Sequence, residues 1–136
     1  MNDTDDMRLD LLMFSVGGIN FGVDAGQVAE VAVYDGGQAD DLFWFHKELE
    51  YDIAASAYFS PTVITIRTGG ALPYRVIIDR MEDITEFHQS DISLFPALLE
   101  SFALRRGMWG ILSVHGSMVL LVDFQLLLKQ KRAEVL

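Results

Sequence analysis

The chain has no cysteine, and only three prolines and three histidines among its 136 residues. Without cysteine there is no disulfide, no thiolate nucleophile and no Cys-type zinc site, a composition compatible with a reducing compartment. Long apolar runs are missing too: "VLLV" at Val119–Val122 falls far short of the ~20 residues that cross a bilayer. The opening "MNDTDDMRLD" places acids where a secretory leader needs a basic patch followed by an apolar stretch. A soluble, cytoplasmic protein that is not inserted in a membrane is expected.

Basic residues are scarce at one end. Residues 1–60 hold 12 acids against 2 bases, whereas residues 61–136 hold 8 of each, so the net charge of −10 belongs to the first part. Nucleic acid is therefore not the expected partner, because binding phosphates takes a basic stripe that this surface would repel. A basic protein surface suits it better, although acids that only keep a protein soluble give the same asymmetry.

Signatures of chemistry are equally sparse. No nucleophile elbow, P-loop or dinucleotide fingerprint occurs, and the double glycines lack the following helix that phosphate cradling needs. His46, His88 and His115 have no spacing that puts two on one helical face, so they are expected on the surface and no metal is expected. The acid pairs Asp5-Asp6, Asp40-Asp41 and Glu82-Asp83 are adjacent residues, which point to opposite faces of a strand and read as solvated loops. The expectation is no catalytic residue, no cofactor and no enzyme. A small-ligand-binding barrel is the competing class, and it needs a sizeable pocket with convergent polar groups.

What is present is a 51% apolar chain with 22% charged residues, enough for one folded domain. "FSVGGINFGVD" (Phe14–Asp24) flanks a Gly-Gly turn with period-two strands and stops at Asp24, the mark of a β-hairpin. The unit recurs as "VITIR" (Val63–Arg67), Gly69-Gly70 and "YRVIID" (Tyr74–Asp79), and a third hairpin turns at His115-Gly116 and ends at Asp123. After the first two aspartates come "QVAEVAVY" (Gln27–Tyr34) and "RMEDITEF" (Arg80–Phe87), apolar residues separated by an acid. Hairpins this dense predict an all-β sandwich or barrel.

Two or three short helices are expected beside the strands. Leu42, Phe45, Leu49 and Ile53 recur at three- and four-residue steps after a capping Asp41; Phe43, Trp44 and Phe45 together could form a stacking or ligand platform, but this spacing buries Phe45 beside Leu42 and Leu49 and favours the core. "FPALLESFALRRG" has Pro96 at its start and Gly107 just past its end, and "DFQLLLKQKR" begins on Asp123 as N-cap. One strip is left as a candidate binding surface: Glu30 set among Val28, Val31 and Tyr34.

These blocks resemble CheW-like chemotaxis adaptor domains. "LLMFSVGGINFGVDAGQVAEVAVYD" (Leu11–Asp35) is similar to the family's opening, "VIIDRMEDITEF" to its second-half signature and "WGILSVHGSMVLLVDFQLLL" to its closing hairpin and terminal helix. The resemblance implies a single domain of two small SH3-like β-barrels around a shared apolar seam. The first barrel would span roughly 10–60, the second roughly 61–123, and a C-terminal helix 124–132. It further implies a non-catalytic coupler that bridges chemoreceptor cytoplasmic tips to the regulatory domain of a CheA-type histidine kinase, with Val28, Glu30, Val31 and Tyr34 at the protein interface. The family's Asn-Leu-Arg-Gly strand has no counterpart between Tyr34 and Phe43. A first half trimmed in this way would lack that arginine for receptor binding and would leave an edge open to another chain, which makes a kinase-only or homodimeric module the second expectation.

Overall fold

A computed structural model describes residues 7–53, 58–70 and 72–135, with side chains described as far as residue 131. Gly17 and Gly18 take φ of 61° and 82°, the left-handed pair that a two-residue hairpin turn requires. They fold β1 (Arg8–Val16) onto β2 (Ile19–Asp24) in antiparallel register, Phe14 opposite Phe21. A single 3₁₀ turn, Ala25–Gln27, leads into β3 (Val28–Val33), followed by β4 (Leu42–Trp44), α1 (Phe45–Glu48), β5 (Thr62–Ile66) and β6 (Tyr74–Ile78). Then come β7 (Ile84–His88), a second 3₁₀ turn at Gln89–Asp91, α2 (Ala97–Arg105), β8 (Met108–Val114), β9 (Ser117–Val122) and α3 (Phe124–Val135).

The strands form two sheets, so the all-β expectation holds. One runs β7-β1-β2-β9-β8 and the other β3-β5-β6-β4. Each draws strands from both sides of residue 61. The two outer hairpins meet through a parallel pairing of β2 with β9, Asn20 beside Val119. The five-stranded sheet curls until Ser93 and Ile111 exchange main-chain hydrogen bonds of 2.9 and 2.8 Å. This covers part of the β8 edge, as a barrel does.

Alternation along β1 splits its side chains between two cores. Leu12, Phe14 and Val16 join the larger one, with Phe21, Phe45, Ile64, Tyr74, Ile78 and Phe124, which takes residues from both sheets. Leu11 joins Leu112, Val119 and Leu121 in a smaller one inside the five-stranded sheet. The rings of Phe14, Phe21 and Phe45 lie 4.6–5.7 Å apart, in the offset and edge-on geometries that aromatic quadrupoles favour. Each ring buried this completely is worth about 1.5–3 kcal/mol over leaving it exposed. The seam that a ligand barrel would need open is thus filled by aromatic side chains.

The helices at Pro96 and Asp123 form as their end signals predict. Asp123 Oδ1 accepts the N–H of Leu126 at 3.0 Å, and Gly107 (φ 74°) follows α2 at a point where an added Cβ would come within 2.5 Å of Leu127.

The helix expected from Asp41 is overturned. Leu42–Trp44 pair in parallel with β6 as β4, and only Phe45–Glu48 are helical. Asp41 caps nothing: its carbonyl accepts the Arg75 N–H at 2.8 Å and its carboxylate grips the Arg75 guanidinium. That double attachment holds the next three residues extended, and Phe43 and Trp44 suit a strand. Phe45 and Leu49 still reach the core, as their spacing requires. No helix among the described residues is long and apolar enough to cross a membrane.

Candidate protein interface

The site is built outward from Gln27, where the chain passes from one sheet to the other. Its side-chain Nε2 donates to Asp123 Oδ1 at 2.9 Å, its Oε1 accepts the Phe124 N–H at 3.0 Å, and its carbonyl accepts the Arg67 N–H at 2.8 Å. Asp24 Oδ1 accepts the Gly26 N–H at 2.9 Å just before it. The start of β3 is thereby tied to the first turn of α3. A bulge between Val28 and Glu30 then re-aims the strand, as bulges beside functional edges do.

Beyond the bulge, β3 is the edge of the four-stranded sheet and, among the described residues, pairs with β5 alone. Opposed residues share a face of the sheet. Val31 stands opposite Ile64 and Val33 opposite Thr62, while Glu30 and Ala32 stand opposite Thr65 and Val63. On β5 both faces are packed, with Val63 and Ile64 buried; on β3 neither is, and Val31 is 45% and Val33 86% exposed. An apolar strand with both faces open is the sort of surface that marks a protein contact.

All four residues expected at the interface fall on this strip, in two roles. Glu30 and Val31 are exposed, whereas Val28 and Tyr34 are half-buried at its ends and pack on the main core. The Tyr34 hydroxyl donates to the Gly37 carbonyl at 2.8 Å, and its ring meets Trp44 edge-on at 5.5 Å. Trp44 also lies 4.9 Å from Tyr58.

The titratable groups inside the molecule serve packing. His46 is only 5% exposed, which corrects the expectation of a surface residue. It follows Trp44 and Phe45 into the core because its polar atoms are matched there: the Tyr58 hydroxyl accepts the His46 main-chain N–H at 3.2 Å and lies 3.0 Å from Nδ1. Burial, with the Lys47 charge as a smaller cause, lowers its pKa below the usual 6.5. Burial pushes the Tyr58 hydroxyl up to about 12, and the Tyr74 hydroxyl higher still. Asp79, 1% exposed, accepts the N–H groups of Phe59 and Ser60. Among the described residues no three of His, Cys, Asp and Glu converge as a metal site.

Two features escaped sequence reasoning. One is Val33, more exposed than either valine singled out. The other is α2, of which only Ala103 is buried, while Leu98, Leu99 and Phe102 face solvent. Six of its nine residues are apolar, more than one buried stripe accounts for, and that excess was the available signal.

No protein-family profile matches the chain, and no curated protein matches it. Among solved structures it is similar to the scaffolding protein TtCheW from Thermoanaerobacter tengcongensis. The TM-score is 0.67 at 14% identity, over 89% of this chain and 92% of that one. The fold is CheW-like. The CheW-like fold accounts for the two sheets and their shared core, in which β3 stands at an edge.

Proposed function

We propose that the chain is a non-catalytic adaptor of chemotaxis-type signalling, coupling chemoreceptors to the regulatory domain of a CheA-type histidine kinase in the cytoplasm. The observation that carries this reading is a CheW-like fold whose edge strand β3 is apolar, acidic at Glu30 and uncovered on both sides. Val28, Glu30, Val31 and Tyr34 are the proposed contact residues: the two valines supply apolar area, Glu30 selects a basic counterpart, and Tyr34 fixes the end of the strand. Such a surface takes a partner by edge and pocket contacts and needs no cofactor. To transmit a signal it must bind two states of the kinase unequally, since equal affinity shifts nothing.

Calorimetry with the kinase regulatory domain tests the proposal. Glu30→Lys is expected to weaken binding at least about tenfold with an unchanged circular dichroism spectrum. Equal affinity in the variant removes Glu30 from the interface, and no binding by the parent chain refutes the adaptor reading.

A second reading is supported by the four-stranded sheet, one strand fewer among the described residues than its five-stranded companion, together with the absent Asn-Leu-Arg-Gly segment. On that reading the chain binds the kinase, or itself, without the receptor. Binding of a receptor tip in the same experiment decides against it.

A further inference from the structure

The two sheets repeat one plan, and the four-stranded one stops a strand short of it. In each, a hairpin runs to an aspartate, β1 with β2 to Asp24 and β5 with β6 to Asp79. The first strand of the hairpin takes an antiparallel neighbour (β7 on β1, β3 on β5) and the second a parallel one (β9 on β2, β4 on β6). The registers coincide. Val119 and Leu121 stand beside Asn20 and Gly22, four and two residues before Asp24; Leu42 and Trp44 stand beside Arg75 and Ile77, four and two before Asp79. In the five-stranded sheet β8 then pairs antiparallel on β9, Leu112 opposite Val119, and this closes the smaller core around Leu11, Val119 and Leu121. Among the described residues no strand pairs with the corresponding edge of β4.

That edge is shaped for a neighbour. The Arg75 N–H goes to the Asp41 carbonyl, so alternation along the ladder turns the main-chain groups of Phe43 to β6 and those of Leu42 and Trp44 the other way. The Ala39 carbonyl takes the Leu42 N–H at 3.1 Å, which leaves the Leu42 carbonyl and the Trp44 N–H on the open side. Leu42 and Trp44, counterparts of two fully buried residues, are only half-buried. With Tyr34, Ala39 and Ile77 they line a hollow of about 210 Å³ that opens to solvent, where the counterpart of Leu112 would sit. The approach is acidic: residues 35–42 hold three acids and no base, and Asp35 and Asp40 are exposed.

We propose that β4 accepts a strand in trans. An extended, basic segment of a partner protein pairs antiparallel with Leu42–Trp44 as β8 does with β9, sets one large aliphatic side chain into the hollow, and brings lysine or arginine against Asp35 and Asp40. Main-chain hydrogen bonds supply the affinity and the hollow supplies the specificity, while the flanking charges make the contact sensitive to salt. The proposal stands on the internal repeat and not on the kinase partner. A chain that takes such a strand but binds no kinase domain refutes the adaptor reading alone, and one that binds the kinase domain but no strand refutes this proposal alone.

The probe is a synthetic peptide carrying the β8 sequence Gly110–Val114 between pairs of lysines, added to the full chain. Titration is expected to give a Kd of about 10–100 µM. Amide hydrogen exchange followed by NMR is expected to slow at least about tenfold at Trp44, with Val31 and Val33 on β3 exchanging as before. Methylating the peptide nitrogens that face β4 is expected to weaken binding at least about tenfold, and exchanging the lysines for glutamates is expected to weaken it as well. No binding, equal binding of the methylated or the acidic peptide, or protection that falls on β3 in place of β4 overturns the proposal.

Discussion

The carboxylate of Asp41 grips the guanidinium of Arg75 at both ends, Nε donating to Oδ2 at 2.7 Å and Nη2 to Oδ1 at 3.0 Å. This clamp joins a loop residue to β6 and aligns β4, the shortest strand, beside it. The hydrogen bonds from Arg75, opposed by partial burial, hold the Asp41 carboxyl below its ordinary value of 3.8. A group whose folded pKa is depressed contributes stability above its unfolded pKa and loses it as pH falls through the folded one. The clamp is therefore complete above about pH 4 and fails only in stronger acid. Arg75→Lys, which keeps the charge but not the fork, is expected to raise amide exchange at Leu42–Trp44 several-fold at neutral pH. Exchange in β1 is expected to be unchanged.

His46 gives a window of the same sign at higher pH. Its folded pKa lies below 6.5, chiefly through burial, so the unfolded chain binds a proton that the folded chain refuses. Stability is full above pH 6.5 and declines as pH falls from there toward the folded value. The gap in Tm between about pH 7.5 and about pH 5 is expected to shrink in His46→Gln, measured by thermal denaturation. An unchanged gap would assign the pH dependence elsewhere.

Glu48 is the hinge of a part-buried polar chain. It accepts the Tyr74 hydroxyl on Oε1 and pairs with Lys131 Nζ on Oε2 at 3.1 Å, while the Lys131 ammonium sits 4.3 Å from the Phe43 ring. Tyr74 is 1% exposed. Glu48→Ala strands its hydroxyl without an acceptor, at a cost of about 1–3 kcal/mol. The expected result is a Tm lowered by roughly 5–10 °C, with Glu48→Gln recovering most of it.

Gly107 lies where α2 turns into β8. Its φ of 74°, and the 2.5 Å that would separate an added methyl carbon from Leu127, exclude any side chain without displacement of α3. Gly107→Ala is expected to lower stability in urea by at least about 1–2 kcal/mol and to increase proteolysis within α3. An unaltered urea midpoint would mean that α3 yields without cost.

The hairpins were legible because their turns are spelled out: Gly17-Gly18 and His115-Gly116 supply positive φ between period-two strands. The end signals of α2 and α3 were equally direct, since Gly107 and Asp123 act locally. Leu42, Phe45, Leu49 and Ile53 misled because a three-residue strand running into a one-turn helix reproduces helical spacing, and the Arg75 clamp that decides the matter lies more than thirty residues away. His46 misled because its partner, Tyr58, arrives through the fold. At the candidate site, Glu30 among valines was visible, but alternation cannot tell a half-buried strand from one open on both faces. The outward mounting of α2 depends on β8, which its own residues do not describe.

The pairing of Asn20 with Val119 has a temporal consequence. A ribosome must deliver β9 before β2 gains that neighbour, so an early hairpin waits through most of synthesis with an apolar flank unshielded. Loop closure of this length slows folding. The nascent chain is then a natural client for holdase protection until its last hairpin emerges.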